Sequence, residues 1–321
     1  MKILITGGGG FLGFRLARTL LARGTLGGKA ISGITLLDGA FPPGVENLQK
    51  VKAVTGDVSD EKTIAGVCTQ DTDAVFHLAA VVSGAAEADF DLGMRVNLKG
   101  MELLLAQMRK CGKPPRLVYT SSVAAFGGAL PEVLDDSTLA NPQTSYGAQK
   151  VIGEYLVSDY TRKGFIDGRA LRLPTIVVRA GKPNAAASSF ASGVIREPLN
   201  GVISECPVAA DTGVWLLSPG KVVDAFIHAW ELPAEAWGTQ RWLNLPGITA
   251  TVAEMVEAMR KVAGDTVAKR VVYKADARIQ AIVKTWPVNF RTPRALAMGF
   301  KPDANVESVI RDYIADEKIK I

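Results

Sequence analysis

Apolar and polar positions alternate along the first two-thirds of this chain in a repeating way. Short runs of β-branched and aliphatic residues are followed by longer stretches whose apolar positions recur every three or four residues. The pattern predicts strands over 2–6, 34–38, 74–78, 116–121 and 169–177. Helices are predicted over 11–22, 61–68, 90–110 and 145–161, with a further apolar strand just before Asp57. Strands alternating with crossover helices imply a parallel sheet covered on both faces, so the fold class is α/β, a doubly wound Rossmann sheet. Beyond Arg179 the pattern loosens. Residues 181–193 are rich in Gly, Ala, Ser and Asn and read as an irregular loop. Helical periodicity returns at 219–232, 252–263 and 306–314, with strands near 242–245 and 269–273. The division this predicts is a doubly wound domain over 1–178. Residues 179–321 form a smaller α/β region, mainly substrate-binding, with some segments returning to the first domain.

Composition narrows the class. A chain of 321 residues that is 48% apolar and 21% charged can bury a large core. No apolar run reaches the ~20 residues that span a bilayer, and Met1-Lys2 leads straight into a strand, so a cytoplasmic protein without a membrane segment is expected. The net charge of +5 is spread among acids rather than gathered in a block, which argues against a nucleic-acid partner. Cys68, Cys111 and Cys206 are scattered with no CxxC pair, and His77 and His228 are the sole histidines. Neither a disulfide framework nor a metal site is expected, and acid-base chemistry falls to other side chains.

Candidate chemistry begins at the first turn. Thr6-Gly7-Gly8-Gly9-Gly10-Phe11-Leu12-Gly13 joins strand to helix. Glycines there let the backbone bend and let a pyrophosphate approach, and the helix N-terminus offers free N–H groups to the anion. Gly7, Gly10, Phe11, Leu12 and Gly13 are therefore the candidate phosphate cradle. Asp38 ends the second strand, 25 residues beyond Gly13, where it can accept hydrogen bonds from both adenosine ribose hydroxyls. Its charge disfavours a 2′-phosphate, so NAD is expected rather than NADP. Asp57-Val58 can meet the adenine, or Asp57 can serve as a turn or cap residue. The small residues in His77-Leu78-Ala79-Ala80 allow the chain to pass under a cofactor, with His77 itself read as a structural histidine.

Tyr146 and Lys150 stand four residues apart on the helix over 145–161 and so share one face. A phenol of pKa ~10 is a poor base at neutral pH, and a neighbouring ammonium favours its phenolate. The pair follows a strand ending in Thr120-Ser121-Ser122, whose hydroxyls can hold a substrate oxygen.

In this order the glycine turn, Asp38, His77-Leu78-Ala79-Ala80, Ser121-Ser122 and Tyr146-x-x-x-Lys150 resemble the extended short-chain dehydrogenase/reductases, the epimerase/dehydratase family, over nearly the whole chain. The resemblance implies NAD as cofactor and hydride transfer with Tyr146 as proton acceptor. It further implies Lys150 on the nicotinamide ribose and Ser122 on the substrate oxygen. Leu78, Ala79, Ala80, Asn97, Ser121 and Pro174 are implied cofactor neighbours, with Asn97 as a structural or proton-relay residue, and the enzyme is implied to be a homodimer. Phe126, where sugar-nucleotide enzymes of the family usually carry tyrosine, weakens that substrate class. Residues 171–190 resemble the D-erythronate dehydrogenase branch, which implies oxidation of the C2 hydroxyl of a small sugar acid. Arg179 and Arg291 are then candidates for its carboxylate and Asn184, Ser188 and Ser189 for its hydroxyls. A sugar-nucleotide epimerase or dehydratase, an L-threonine dehydrogenase and a non-catalytic NAD-binding sensor remain alternative readings.

Overall fold

The computed structural model describes residues 1–181 and 187–321. In chain order its principal elements start with β1 (Lys2–Thr6), α1 (Phe11–Arg23), β2 (Gly33–Asp38), β3 (Val51–Thr55), α2 (Glu61–Val67) and β4 (Ala74–His77). There follow α3 (Gly100–Met108), β5 (Arg116–Ser122), α4 (Ser145–Arg162), β6 (Asp167–Leu173), β7 (Thr175–Ile176) and α5 (Ser189–Leu199). The chain continues with β8 (Gly213–Leu217), α6 (Pro219–Glu231), β9 (Trp242–Asn244), β10 (Ile248–Thr251), α7 (Val252–Ala263) and α8 (Val306–Glu317).

Two compact units share the chain. The first comprises Met1–Ala125, Thr144–Arg172 and Val223–Leu243; the second comprises Phe126–Gln143, Leu173–Val222 and Asn244–Ile321. A seven-stranded sheet runs β9-β6-β5-β4-β1-β2-β3, and the pairings of β1 with β2 and β4, of β2 with β3 and of β4 with β5 are parallel. The strand order reverses between β1 and β4, the switch point at which α/β sheets bind ligands. Ile3, Leu4 and Ile5 in β1 and Val75 and Phe76 in β4 are all buried. That is why these strands read as continuous apolar runs: both faces of the sheet are covered. Leu4, Leu37, Val75, Leu104, Leu117 and Val157 belong to one core that joins strands to the helices of one face.

The second unit carries a three-stranded sheet, β10-β8-β7. Its core gathers Phe190, Val194, Ile195, Val252, Met255, Met259 and Ile310. Helix α7 starts in a capping box, Thr251 with Glu254.

Three sequence expectations are corrected. The strand over 169–177 stops at Leu173 because Pro174 lacks the N–H a central ladder needs, and the chain resumes as β7 in the other sheet. The helix over 90–110 is interrupted by a wide turn, Met94–Lys99, which follows a different hydrogen-bond period. Finally, the C-terminal part of the expected loop over 181–193 is the start of α5, whose buried Phe190, Ala191, Val194 and Ile195 keep helical spacing around Gly193. No helix among the described residues is long and apolar enough to cross a membrane.

Candidate active site

The glycine turn is built by close approaches that side chains would forbid. Gly7 adopts φ +72°, and a Cβ on it would meet the Leu78 carbonyl carbon and the Ala79 nitrogen at 2.7 Å. A Cβ on Gly13 would lie 2.1 Å from the Gly7 carbonyl oxygen. The Gly7 amide donates to Leu37 O at 2.8 Å and the Gly10 amide to Gly7 O at 3.1 Å, locking the turn on the ends of β1 and β2. Leu78 and Ala79 thus pass beneath the turn, as their small neighbours allow. Gly10 caps α1 with no side-chain hydrogen bond, and no acid occupies the first turn at Phe11 and Leu12. This 13-residue helix presents unsatisfied N–H groups and a positive dipole end, which suits a pyrophosphate. Asp38 accepts from the Gly9 and Gly10 amides at 3.0 and 3.1 Å, which fixes the carboxylate beside the cradle. A glycine cradle, an uncapped helix start and an adjacent carboxylate together fit a dinucleotide.

Asp57 is tied by Ser59 and by an ion pair with Arg95, so its carboxylate is committed to turn and surface contacts. The Ser59 hydroxyl is the largest influence holding that carboxyl below its ordinary range. Val58 packs on α3, within 2.9 Å of where a Gly100 Cβ would stand. Asn97, carried inward by the wide turn, accepts from Val81 N at 2.8 Å and donates to Val81 O and to Gln149 Oε1. Its amide therefore pins the loop after Ala80 to α4.

Helix α4 is capped by Thr144, whose hydroxyl accepts from Gly147 N. It buries Gln149, Lys150 and Glu154, a polar face inside the protein. The Lys150 ammonium donates to Thr120 O at 2.8 Å and lies 4.9 Å from the Tyr119 ring centre and 5.5 Å from that of Tyr146. Burial pushes the Tyr146 phenol up to about 12, against a hydrogen bond with Ser122 that pulls the other way. Burial also draws Lys150 down to about 7, opposed by the charge of Glu154. Loss of water is the largest influence on both and acts against the charged form of each.

Ser121 is buried and donates to Glu154 Oε1 at 2.5 Å, so its hydroxyl is spent on that carboxylate rather than offered to a ligand. Arg172 closes on the same carboxylate through Nε at 2.8 Å and Nη2 at 2.7 Å. Sequence reasoning missed Glu154, although it repeats the Tyr146 to Lys150 spacing one turn further on. His77 hydrogen-bonds Thr6 Oγ1 at 2.6 Å and stacks on Tyr119. Burial, reinforced by Lys150, drives it down to about 3, so it is neutral at physiological pH.

In the second unit Pro174 joins β6 to β7 and packs against Gly247. The Arg179 amide donates to Ser192 Oγ at 2.9 Å, while its half-buried guanidinium has its pKa lowered by burial and by neighbouring Arg196. Ser188 precedes α5 without capping it, and the Arg291 amide bonds Leu134 O. The Arg291 side chain is exposed. Asn184 lies outside the described residues. No group of three His, Cys, Asp or Glu among the described residues could hold a metal ion.

The model of the NAD dependent epimerase/dehydratase family matches residues 3–232. The chain is 57% identical to the D-erythronate dehydrogenase of Cupriavidus necator over 98% of each chain. It is 43% identical to that of Haemophilus influenzae, over 98% of this chain and 99% of the other. Among solved structures, a nucleoside-diphosphate-sugar epimerase from Agrobacterium tumefaciens superposes with a TM-score of 0.92 at 41% identity, covering 99% of this chain and 94% of that one. With the glycine cradle, Asp38 and the Tyr146 and Lys150 pair in place, this chain belongs to the NAD dependent epimerase/dehydratase family.

Proposed function

We propose that this protein is an NAD-dependent dehydrogenase that oxidises the C2 hydroxyl of a small sugar acid, D-erythronate, to 2-oxo-tetronate. The observation that carries the chemistry is the half-buried Tyr146 side chain, next to Ser122 and sharing a helix face with the buried Lys150 ammonium. Substrate choice is supported by the near full-length similarity to enzymes named for D-erythronate.

Gly7, Gly10, Phe11, Leu12 and Gly13 would hold the pyrophosphate and Asp38 the adenosine ribose, with Leu78, Ala79 and Ala80 lining the path beneath. NAD, when bound, supplies the acceptor for the hydride leaving C2. Tyr146 takes the hydroxyl proton at its phenolic oxygen, and Ser122 holds the substrate oxygen against it. Lys150, anchored on Thr120 O, provides the charge that makes phenolate formation affordable where water is excluded. Asn97 acts through Val81 and Gln149, keeping the loop and α4 in register.

The test is a spectrophotometric screen for NAD reduction with C3 to C6 sugar acids, hydroxy acids and L-threonine. NADH formation strongest with D-erythronate supports the reading. Turnover of a sugar nucleotide without net NADH would replace it by an epimerase. Tyr146→Phe is expected to lose most turnover, by a factor on the order of 10² to 10⁴, while calorimetric NAD affinity stays within about twofold; full turnover in this variant refutes the assignment. We further propose a cytoplasmic homodimer that pairs through α3 and α4. It is supported by exposed Ile152 and Tyr155 on α4 and is measurable by light scattering.

A further inference from the structure

Tyr146, Lys150 and Glu154 follow one another at four-residue intervals on α4, so the phenol, the ammonium and the carboxylate form a single row along the helix. The last member of the row is among the most enclosed charges in the protein. Glu154 is 1% exposed, Lys150 and Ser121 each 2%, and Arg172 4%. A charge so far from water persists only where partners surround it. Glu154 has three hydrogen bonds, from Ser121 Oγ, Arg172 Nε and Arg172 Nη2. Two of its holders sit on different strands: Ser121 on β5, between the Thr120 carbonyl that anchors Lys150 and the Ser122 hydroxyl that meets Tyr146, and Arg172 on β6.

We propose that Glu154 is a positioning residue for the reaction: held by Arg172 and Ser121, its carboxylate keeps the Lys150 ammonium charged and aligned with Tyr146. The proposal rests on the dehydrogenase reading of the site and adds a component to it. The other groups facing Lys150 do not supply a negative charge. From its own helix there is the Tyr146 phenol. From β5 come the Tyr119 ring and the neutral Thr120 carbonyl, and from β4 the neutral His77. Arg172 carries a positive charge and holds the Glu154 carboxylate. Glu154 opposes the downward pull of burial on Lys150, in agreement with this geometry.

The sign of the expected effect follows. Lys150 must carry its proton for the phenolate to form, so turnover falls as pH rises through the lysine's pKa. Removing the carboxylate lowers that pKa and moves the alkaline limb of the kcat profile to lower pH. A nearby opposite charge shifts a pKa by about one unit.

The experiment is ¹³C NMR titration of lysine side chains in the full-length protein, with the Lys150 signal assigned by its loss in Lys150→Met, alongside kcat profiles. In Glu154→Gln the Lys150 midpoint is expected to fall by about one unit, with the alkaline limb following it. Glu154→Asp is expected to restore most of the shift. Because Glu154→Gln takes from Arg172 its carboxylate partner and can fail to fold, Glu154→Gln/Arg172→Gln removes both charges together and is expected to lower the midpoint by less than Glu154→Gln alone. Ser121→Ala, which removes one hydrogen bond and no charge, is expected to give a smaller shift in the same direction. An unchanged midpoint in the folded variants, with only the melting temperature altered, overturns the proposal and leaves Glu154 a structural ion-pair partner. The titration needs no substrate, so a wild-type enzyme that forms no NADH would sink the dehydrogenase reading while this result stood on its own.

Discussion

Gly13→Ala separates the fold's need for glycine from the cofactor's. Gly13 lies inside α1 with no left-handed φ, so alanine there should gain about 1 kcal/mol of helix propensity. Against that gain, the new Cβ would sit 2.1 Å from the Gly7 carbonyl oxygen, 2.9 Å from the Gly7 carbonyl carbon and 2.9 Å from Gly8 Cα. All three are backbone atoms, and no rotamer relieves them. Overpacking of this kind costs about 1–3 kcal/mol, so the free protein should be destabilised by about 2 kcal/mol at most. Relief requires the turn to move by roughly 1 Å, a displacement that costs on the order of 10²-fold where geometry matters. NAD affinity, measured by calorimetry on the folded variant, is expected to fall at least tenfold, while thermal unfolding shifts by about 6 °C at most. Gly66→Ala is the control. Gly66 lies in α2, where an added Cβ meets nothing within 4 Å, so this change should leave affinity untouched. Wild-type NAD affinity in Gly13→Ala would refute the assignment of this turn as the pyrophosphate cradle.

Two further outcomes test the buried layer beneath the site. His77 is held down to about 3 in the folded chain against an unfolded value near 6.5, so below pH 6.5 the unfolded chain takes a proton that the folded one refuses. Its contribution to stability is complete above pH 6.5 and declines by about 1.4 kcal/mol per unit as pH falls toward 3. His77→Gln should therefore flatten the acid side of a denaturant-stability profile, and an unchanged slope would show that His77 does not govern it. Tyr119→Phe removes a buried hydroxyl that has no hydrogen-bond partner and keeps the ring under Lys150, so stability should be equal or up to about 1 kcal/mol higher with kcat retained. Gly153→Ala, whose Cβ would fall 2.4 Å from the same hydroxyl, should instead lower the melting temperature, and a stabilised variant would refute the packing argument.

What could be read from the sequence was what lies close along the chain. The glycine turn, Asp38 at a strand end and Tyr146 with Lys150 are each defined within a few residues, and backbone periodicity alone puts them on the right element. The contacts that tune them were not legible because strand register creates them. Thr6 and His77 are 71 positions apart and become partners through the β1 and β4 pairing. Arg172 meets Glu154 across 18 positions and two elements. The start of α5 was hidden for a different reason: Gly193 and the serines around Phe190 weaken the apolar signal although the buried positions keep helical spacing.

Helix α4 shows why the Glu154 contacts escaped periodicity. An amphipathic surface helix buries apolar residues and exposes charges, yet α4 buries Gln149, Lys150 and Glu154 while leaving Ile152 and Tyr155 exposed. A pattern so inverted is unstable unless each buried charge has a partner, and α4 obtains them from Thr120, Ser121 and Arg172 on two neighbouring strands. The same helix therefore breaks the local rule twice, inward where proton chemistry needs charge without water and outward where apolar side chains need a covering surface. Departure from periodicity, rather than conformity with it, marks both the proposed catalytic layer and the proposed dimer face.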